Sequence, residues 1–523
     1  MKPLHAWWVA LALAGSAQAQ VQYVPVAIQG RPVPGGGAAW VSFGEPTLND
    51  RGQIAFNAGV QPDAGGLGHG AIYFGPPDAP RLVARDFTPA PGAGGAEYGG
   101  LGTVLLNEAG HVSFSSRLGG NGVTIGNDVG LWAGPAASPE LVAREGDAAP
   151  GAGKSATYRD LSGHTLNDAG QVAFAASLAG PGVGSQEWGV WHTTRLGEFP
   201  RLVTRTGAPA PGAPAGSTVA SLGTPRLNAA GQIAVAGSID VSPGVRSDGI
   251  WAGVPDDLRL AARTGTRAPG TSSDFVMLHT TGGVEFDDRG AVAFRASLFS
   301  AQRNEGIWMG RPGDLQLVAL KDTPAPGAGG ENFSFLGMPV VNDAGVVAFH
   351  ANLGTNGRGI WAGPRDALRL VARTGTAAAG AADGVTYSIM GAPFLNDAGA
   401  VAFVADLQGP GVEPGNDTGV WVADPSGLTT LVVREGQDIN VGGGETRRIS
   451  FLLPQWSSST DPQLALINDA GQVTFRAIFT DGTEGLFVAT VPEPSAGIAM
   501  SCCAAAVALL RRRHRPDSST PRC

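Results

Sequence analysis

The chain has 523 residues, 43% hydrophobic and 15% charged, with a net charge of −9 and raised Gly (80) and Pro (38). That apolar share can bury a core, which excludes a generally disordered polymer. No basic tract lies outside the extreme C-terminus, which argues against nucleic acid as the main partner, because phosphate binding needs clustered Lys and Arg.

The first predicted element is an address. In MKPLHAWWVALALAGSAQAQ, Lys2 precedes an apolar run, and Ala17-Gln18-Ala19 forms a small-x-small cleavage site. Residues 1–19 therefore read as a signal peptide cleaved after Ala19.

A lone strand follows at Val24–Ile28, and then one pattern recurs eight times. Its first landmark is a hairpin, written LNDRGQIAF at Leu48 and INDAGQVTF at Ile467. The turn pairs are Asn49/Gly52, Asn107/Gly110, Asn167/Gly170, Asn228/Gly231, Asn342/Gly345, Asn396/Gly399 and Asn468/Gly471, with Asp287 opening the fifth copy. Copies lie 54–61 residues apart except for a last interval of 72, which marks an insertion at roughly 437–462. Asn or Asp at the start of a turn accepts a hydrogen bond from the backbone two residues on. Gly three positions later takes φ > 0, which gives a type I turn with a Gly bulge. The second landmark is Gly-Ile-Trp or a variant of it, and the third is Leu-Val-Ala-Arg followed by Pro/Gly-rich sequence. In QVAFAA, Val172 and Phe174 alternate with small Ala, so both strand faces are expected to be buried.

Four strands per period of about 60 residues, eight times over, predict an all-β, eight-bladed β-propeller over 20–490. Sandwich domains need about 100 residues per unit and fit poorly. The phase supports a ring. The chain begins with an isolated fourth strand, and its last repeat stops after the third. Pairing Val24–Ile28 with Leu486–Thr490 would complete the last blade and hide the open edges.

The tail, residues 491–515, carries Pro492-Glu493-Pro494, an apolar segment 496–510, then Arg511, Arg512 and Arg513. The segment is slightly short for a span, and the arginines would hold 516–523 in the cytoplasm. The three cysteines, Cys502, Cys503 and Cys523, all lie here. The body therefore has no disulfide and no Cys-ligated metal.

This three-part order resembles a PEP-CTERM sorting signal, although the closing PDSSTPRC departs from the pattern. The resemblance implies handling by the secretion machinery, transient inner-membrane anchoring, and processing by exosortase. It implies an address at the surface of a Gram-negative bacterium that makes exopolysaccharide. The repeats are similar to an exported choice-of-anchor tandem-repeat family with an Asn-x-x-Gly…Ala-Phe motif. That likeness implies a surface protein and no substrate.

No HExxH, Cys/His cluster, P-loop or GxSxG appears in the sequence. No catalytic residue, cofactor or metal site is expected. The hairpin acids Asp50, Glu108, Asp168, Asp343, Asp397 and Asp469 read as turn chemistry ahead of calcium ligation. Strand-four arginines Arg85, Arg144, Arg205, Arg263, Arg373 and Arg434 read as outer-edge residues ahead of an anion-binding ring. The variable loops between strands two and three are the expected recognition surface, with Asn127-Asp128 and Asn416-Asp417 as cation or sugar contacts. The expected function is a non-enzymatic structural or binding module, with exopolysaccharide or other surface glycans as partner. One alternative is a polysaccharide lyase or glycosidase, which needs two carboxylates converging on the loop face. Another is a calcium-stabilised adhesin.

Overall fold

Eight small antiparallel sheets stand around one axis and form an eight-bladed β-propeller. The computed structural model describes residues 20–492 apart from 63–65, 154, 185, 281–283, 300–303, 355–356 and 454–465. Among the described residues there is no α-helix, and none that could cross a membrane. The expected signal peptide, with Ala17 and Ala19, lies outside them. So do Glu493, Pro494, the segment 496–510, Arg511, Arg512 and Arg513.

Blade 1 shows the pattern. Strand one is Ala38–Phe43 continued by Thr47–Leu48, strand two Ile54–Pro62, strand three His69–Gly75 and strand four Arg81–Arg85. Strand one breaks between Phe43 and Thr47, and in blade 2 it breaks likewise between Leu101 and Leu105, where there is no proline. In blade 3 it runs unbroken as Thr157–Leu166. Strand two is buried on both faces: Val172, Ala173 and Phe174 are all buried. Its Ala side chains leave room for the next blade, which is why apolar residues fill both sides.

Six blades centre on an aromatic trio, one ring each from strands one, two and three. In blade 2, Phe114 and Trp132 stack at 6.1 Å, and Tyr98 meets Trp132 edge-on at 5.0 Å. Offset and edge-on pairs suit the ring quadrupoles and add about 0.5–1.5 kcal/mol beyond area burial. The Gly two residues before each Trp has a steric cause. A Cβ on Gly130 would lie 2.5 Å from the Trp132 ring. The indole also latches the crossover between blades: Trp132 Nε1 donates to Pro91 O at 2.9 Å, and Trp191 Nε1 to Pro150 O at 2.9 Å.

The ring closes as the phase of the repeats predicts. Gln22–Ile28 pairs antiparallel with Glu484–Thr490, from Gln22 opposite Thr490 to Ile28 opposite Gly485. Tyr23 Oη donates to Val432 O in blade 7 at 2.6 Å. The last blade thus takes its fourth strand from the start of the chain and its other strands from the end.

The expected insertion at 437–462 is corrected in part. Asp438–Gly442 and Glu445–Leu453 form a hairpin, and Glu445–Leu453 pairs with Gln472–Phe479 as strand one of blade 8. Up to Leu453 the segment is therefore blade. Gly442, Gly443 and Gly444 make the tight turn, and sequence free of proline on either side lets the crossover pair as strands. Residues 454–462 lie outside the described residues.

Candidate functional site

The axis has two ends of different construction. Turns joining strands one to two and three to four share one end, called here the hairpin end. Loops joining strands two to three, and crossovers to the next blade, share the other, the loop end.

At the hairpin end, every turn has the expected bulge. Gly52 N donates to Asn49 O at 3.0 Å, and Gly52 sits at φ 72°. Gly110, Gly170, Gly231, Gly345, Gly399 and Gly471 repeat both features, each donating to the Asn three residues before it at 2.9–3.1 Å with φ between 70° and 83°. Gly290 does the same for Asp287 in the fifth copy. These glycines shape the turns by backbone alone, and none of them lines the cavity on the axis.

The Asn side chain acts differently from the expectation. Asn49 Oδ1 accepts from Gln53 N, four residues on rather than two, at 2.9 Å. The same contact recurs from His111 to Asn107, Gln171 to Asn167, Gln232 to Asn228, Ala291 to Asp287, Val346 to Asn342, Ala400 to Asn396 and Gln472 to Asn468. The bulge places the i+4 amide, not the i+2 amide, opposite the side chain.

The amide nitrogen then reaches the neighbouring blade. Asn49 Nδ2 donates to Asn107 O, Asn107 to Asn167 O, Asn167 to Asn228 O, and Asn228 to Asp287 O. Asn342 donates to Asn396 O, Asn396 to Asn468 O, and Asn468 back to Asn49 O at 2.8 Å. Seven of eight seams carry this buried bond. Asp287 has no amide to give. At its seam Arg289 bonds Asp287 Oδ2 and donates to Ala344 O in the next blade.

The hairpin acids form a second ring. Asp50 N donates to Glu108, Glu108 N to Asp168, Ala229 N to Asp288, Asp288 N to Asp343, Asp343 N to Asp397, Ala398 N to Asp469, and Asp469 N to Asp50. They therefore act across blades rather than within their own turn. Together with the Asn ring they line a cavity of about 240 Å³ on the axis. Burial pushes the Glu108 carboxyl up to about 7, helped by Asp50 and Asp168. Burial and like-charged neighbours also raise Asp50, Asp343 and Asp397. Among the described residues no group of three or more His, Cys, Asp or Glu has a geometry that could hold a metal ion.

At the loop end, Asn127 and Asn416 are engaged within their own loops. Asn127 Oδ1 accepts from Thr124 N, and Asn416 Oδ1 from Glu413 N. Arg144 Nε and Arg434 Nε clamp their backbone carbonyls at 2.9 and 2.6 Å. Arg205 pairs with Glu187, Arg263 bonds Ser247, and Arg373 bonds Glu331 and Ala328 O. Five of the six strand-four arginines are thus engaged by neighbouring protein groups, and Arg85 at the end of Arg81–Arg85 is exposed. Two carboxyl pairs lie here. Burial and Asp128 hold Glu145 at about 7, and burial and Asp417 raise Glu435. Both glutamates are buried, at 5% and 3% exposure.

The inner wall near this end is uneven. At one strand-one position, Met277, Ile389 and Phe451 of blades 5, 7 and 8 are half exposed. Blades 1, 3 and 4 place the polar Ser42, Asp160 and Ser221 there. The sequence held a signal for the Asn ring that a turn-only reading misses. A turn takes Asp as readily as Asn, yet Asn stands at seven of eight copies, as an amide donor requires.

The chain matches the model of a family of unknown function (DUF7453) over residues 10–207, 69–300 and 201–498, and it belongs to that family. Among curated proteins nothing matches it. Solved structures share the propeller fold only distantly. The β-propeller domain of the Trilobed protease from Pyrococcus furiosus is 8% identical, covering 81% of this chain and 98% of that one, with a TM-score of 0.38. The Dos1 propeller is 11% identical, covering 88% and 94%, with a TM-score of 0.38. Trypanosoma rangeli sialidase is 11% identical, covering 90% and 96%, with a TM-score of 0.30.

Proposed function

We propose, for this member of a family without an established function, that the chain is an exported, surface-sorted propeller acting as a binding module, with its ligand held at the loop end. The observation that carries this reading is how the carboxylates are used. Those that converge on the axis each accept a neighbouring blade's N–H, so holding blades together accounts for their place there without a catalytic role. The buried glutamates of the two loop-end pairs have little access to a substrate. A rigid ring carrying varied loops suits recognition.

The signal peptide and the Pro-Glu-Pro, apolar and Arg-rich tail support export and sorting through exosortase, with the exopolysaccharide matrix as the destination. Fractionating cells tests this part. The wild-type chain is expected at the surface or in the matrix, and a variant with Arg511, Arg512 and Arg513 changed to Ala is expected to be mislocalised. Recovery of both in the cytoplasm would overturn the reading. Incubating the mature chain with host exopolysaccharide and assaying for shortened or unsaturated products tests the enzymatic alternative. No product is expected.

A further inference from the structure

One backbone position recurs where each crossover leaves its blade. Its N–H donates to strand one of the next blade: Gly146 to Tyr158 O, Gly207 to Val219 O, Gly375 to Tyr387 O and Gly436 to Ile449 O. It requires a left-handed φ, and Gly occupies it in six blades: Gly30, Gly146, Gly207, Gly265, Gly375 and Gly436, at φ 77–83°. The exceptions are Asp322 at φ 65° and Phe87 at φ 61°. Asp visits this region with a tolerable cost, whereas a bulky side chain there is a true outlier. The fold imposes it, because Phe87 N donates to Tyr98 O at 2.7 Å.

Phe87 gains little in return, since its side chain is 59% exposed. It meets the His69 ring edge-on, centroids 5.6 Å apart. In the same corner, His69 Nδ1 and Asp86 Oδ1 are buried without a hydrogen-bond partner, while Asp86 Oδ2 accepts from Gly70 N. Polar atoms in that state cost stability until something bonds them. Blade 1 therefore keeps a strained, solvent-facing aromatic beside two unsatisfied polar atoms, and strain of this kind gathers at functional sites.

We propose that Phe87, His69 and Asp86 form a saccharide subsite at the loop end. Phe87 stacks on the apolar C–H face of a sugar ring, and His69 and Asp86 bond its hydroxyls. A purely apolar ligand would leave both polar atoms unpaired, and a small ion would have no use for the exposed ring. The Phe87–His69 contact is edge-on only, and the subsite requires these side chains to move enough for a hydroxyl to reach the two buried atoms. The proposal rests on the loop-end reading of function and adds to it the ligand class and the residues.

The test uses the full mature chain on an array of neutral and acidic oligosaccharides, followed by titration of the best binder. Phe87→Gly is expected to weaken binding by at least about tenfold. Its melting midpoint is expected to hold or rise, because Gly suits the backbone. Phe87→Trp is expected to retain binding. If Phe87→Gly binds within about twofold of wild type, or melts lower, the subsite is overturned while loop-end binding stands. If the wild-type chain binds no sugar on the array, both fall.

Discussion

The two ends of the axis are built from the same eight repeats and solve different problems. At the hairpin end nearly every blade repeats one arrangement, and its polar groups bond across the seams. At the loop end the blades diverge in loop length, in the strand-one wall and at Phe87. Identity between repeats marks where the ring is held together. Departure from identity at the loop end is where the blades differ in the surface they offer.

The largest expected effect comes from removing the closure that both ends share. Deleting Gln22–Ile28 strips the fourth strand from blade 8 and exposes the edge of Glu484–Thr490. The melting midpoint should fall by more than about 10 °C, or the chain should fail to fold. An unchanged calorimetric midpoint would break the wheel.

Next comes a contrast between two asparagines. Asn396→Ala removes a buried donor to Asn468 O and an acceptor for Ala400 N. It should cost about 1–3 kcal/mol in denaturant titration. Asn416→Ala, in a loop-end turn, should cost about 1 kcal/mol or less. Equal costs would erase the distinction between the ends.

A smaller effect should appear with pH. Glu108 is raised from 4.5 to about 7 in the fold, and Asp50, Asp343 and Asp397 are raised as well. A carboxyl whose folded value exceeds its unfolded one binds more protons when folded, so stability drops as pH rises between the two values. These carboxyls therefore take stability away between about pH 5 and about pH 7, while His111, His192, His279 and His350, all lowered by burial, add stability as pH rises toward 6.5. Below that window, Asp160 and Asp481, which are lowered, act in the opposite sense. Glu108→Gln removes one of the carboxyl contributions, so the wild-type midpoint minus that of the variant should fall from about pH 5 to about pH 7, and a difference that stays flat or rises would contradict the raised Glu108.

The smallest effect tests one bond of the closing strand. Tyr23→Phe deletes the hydroxyl that donates to Val432 O and should cost about 0.5–1.5 kcal/mol. A cost near that of the strand deletion would mean that one bond, not the strand, closes the ring.

Blade count, strand order and closure were legible in the chain because they depend on local periodicity, turn chemistry and the phase of a repeat. The turn glycines, from Gly52 to Gly471, were legible for the same reason, since a bulge needs its left-handed residue within three positions of the Asn. Asn at seven of eight turns and Phe in RLVARDF where six other copies carry Gly were visible too, but without a meaning. The Asn49 amide pairs with a carbonyl 58 residues away, and Asn468 with one 419 residues away. No window of sequence contains both partners of such a bond. Likewise the strain at Phe87 and the unsatisfied His69 and Asp86 exist only once the next blade dictates the backbone. Local patterning sets the blades. Which side chains meet across a seam depends on the ring having closed, because closure alone brings distant turns to one axis.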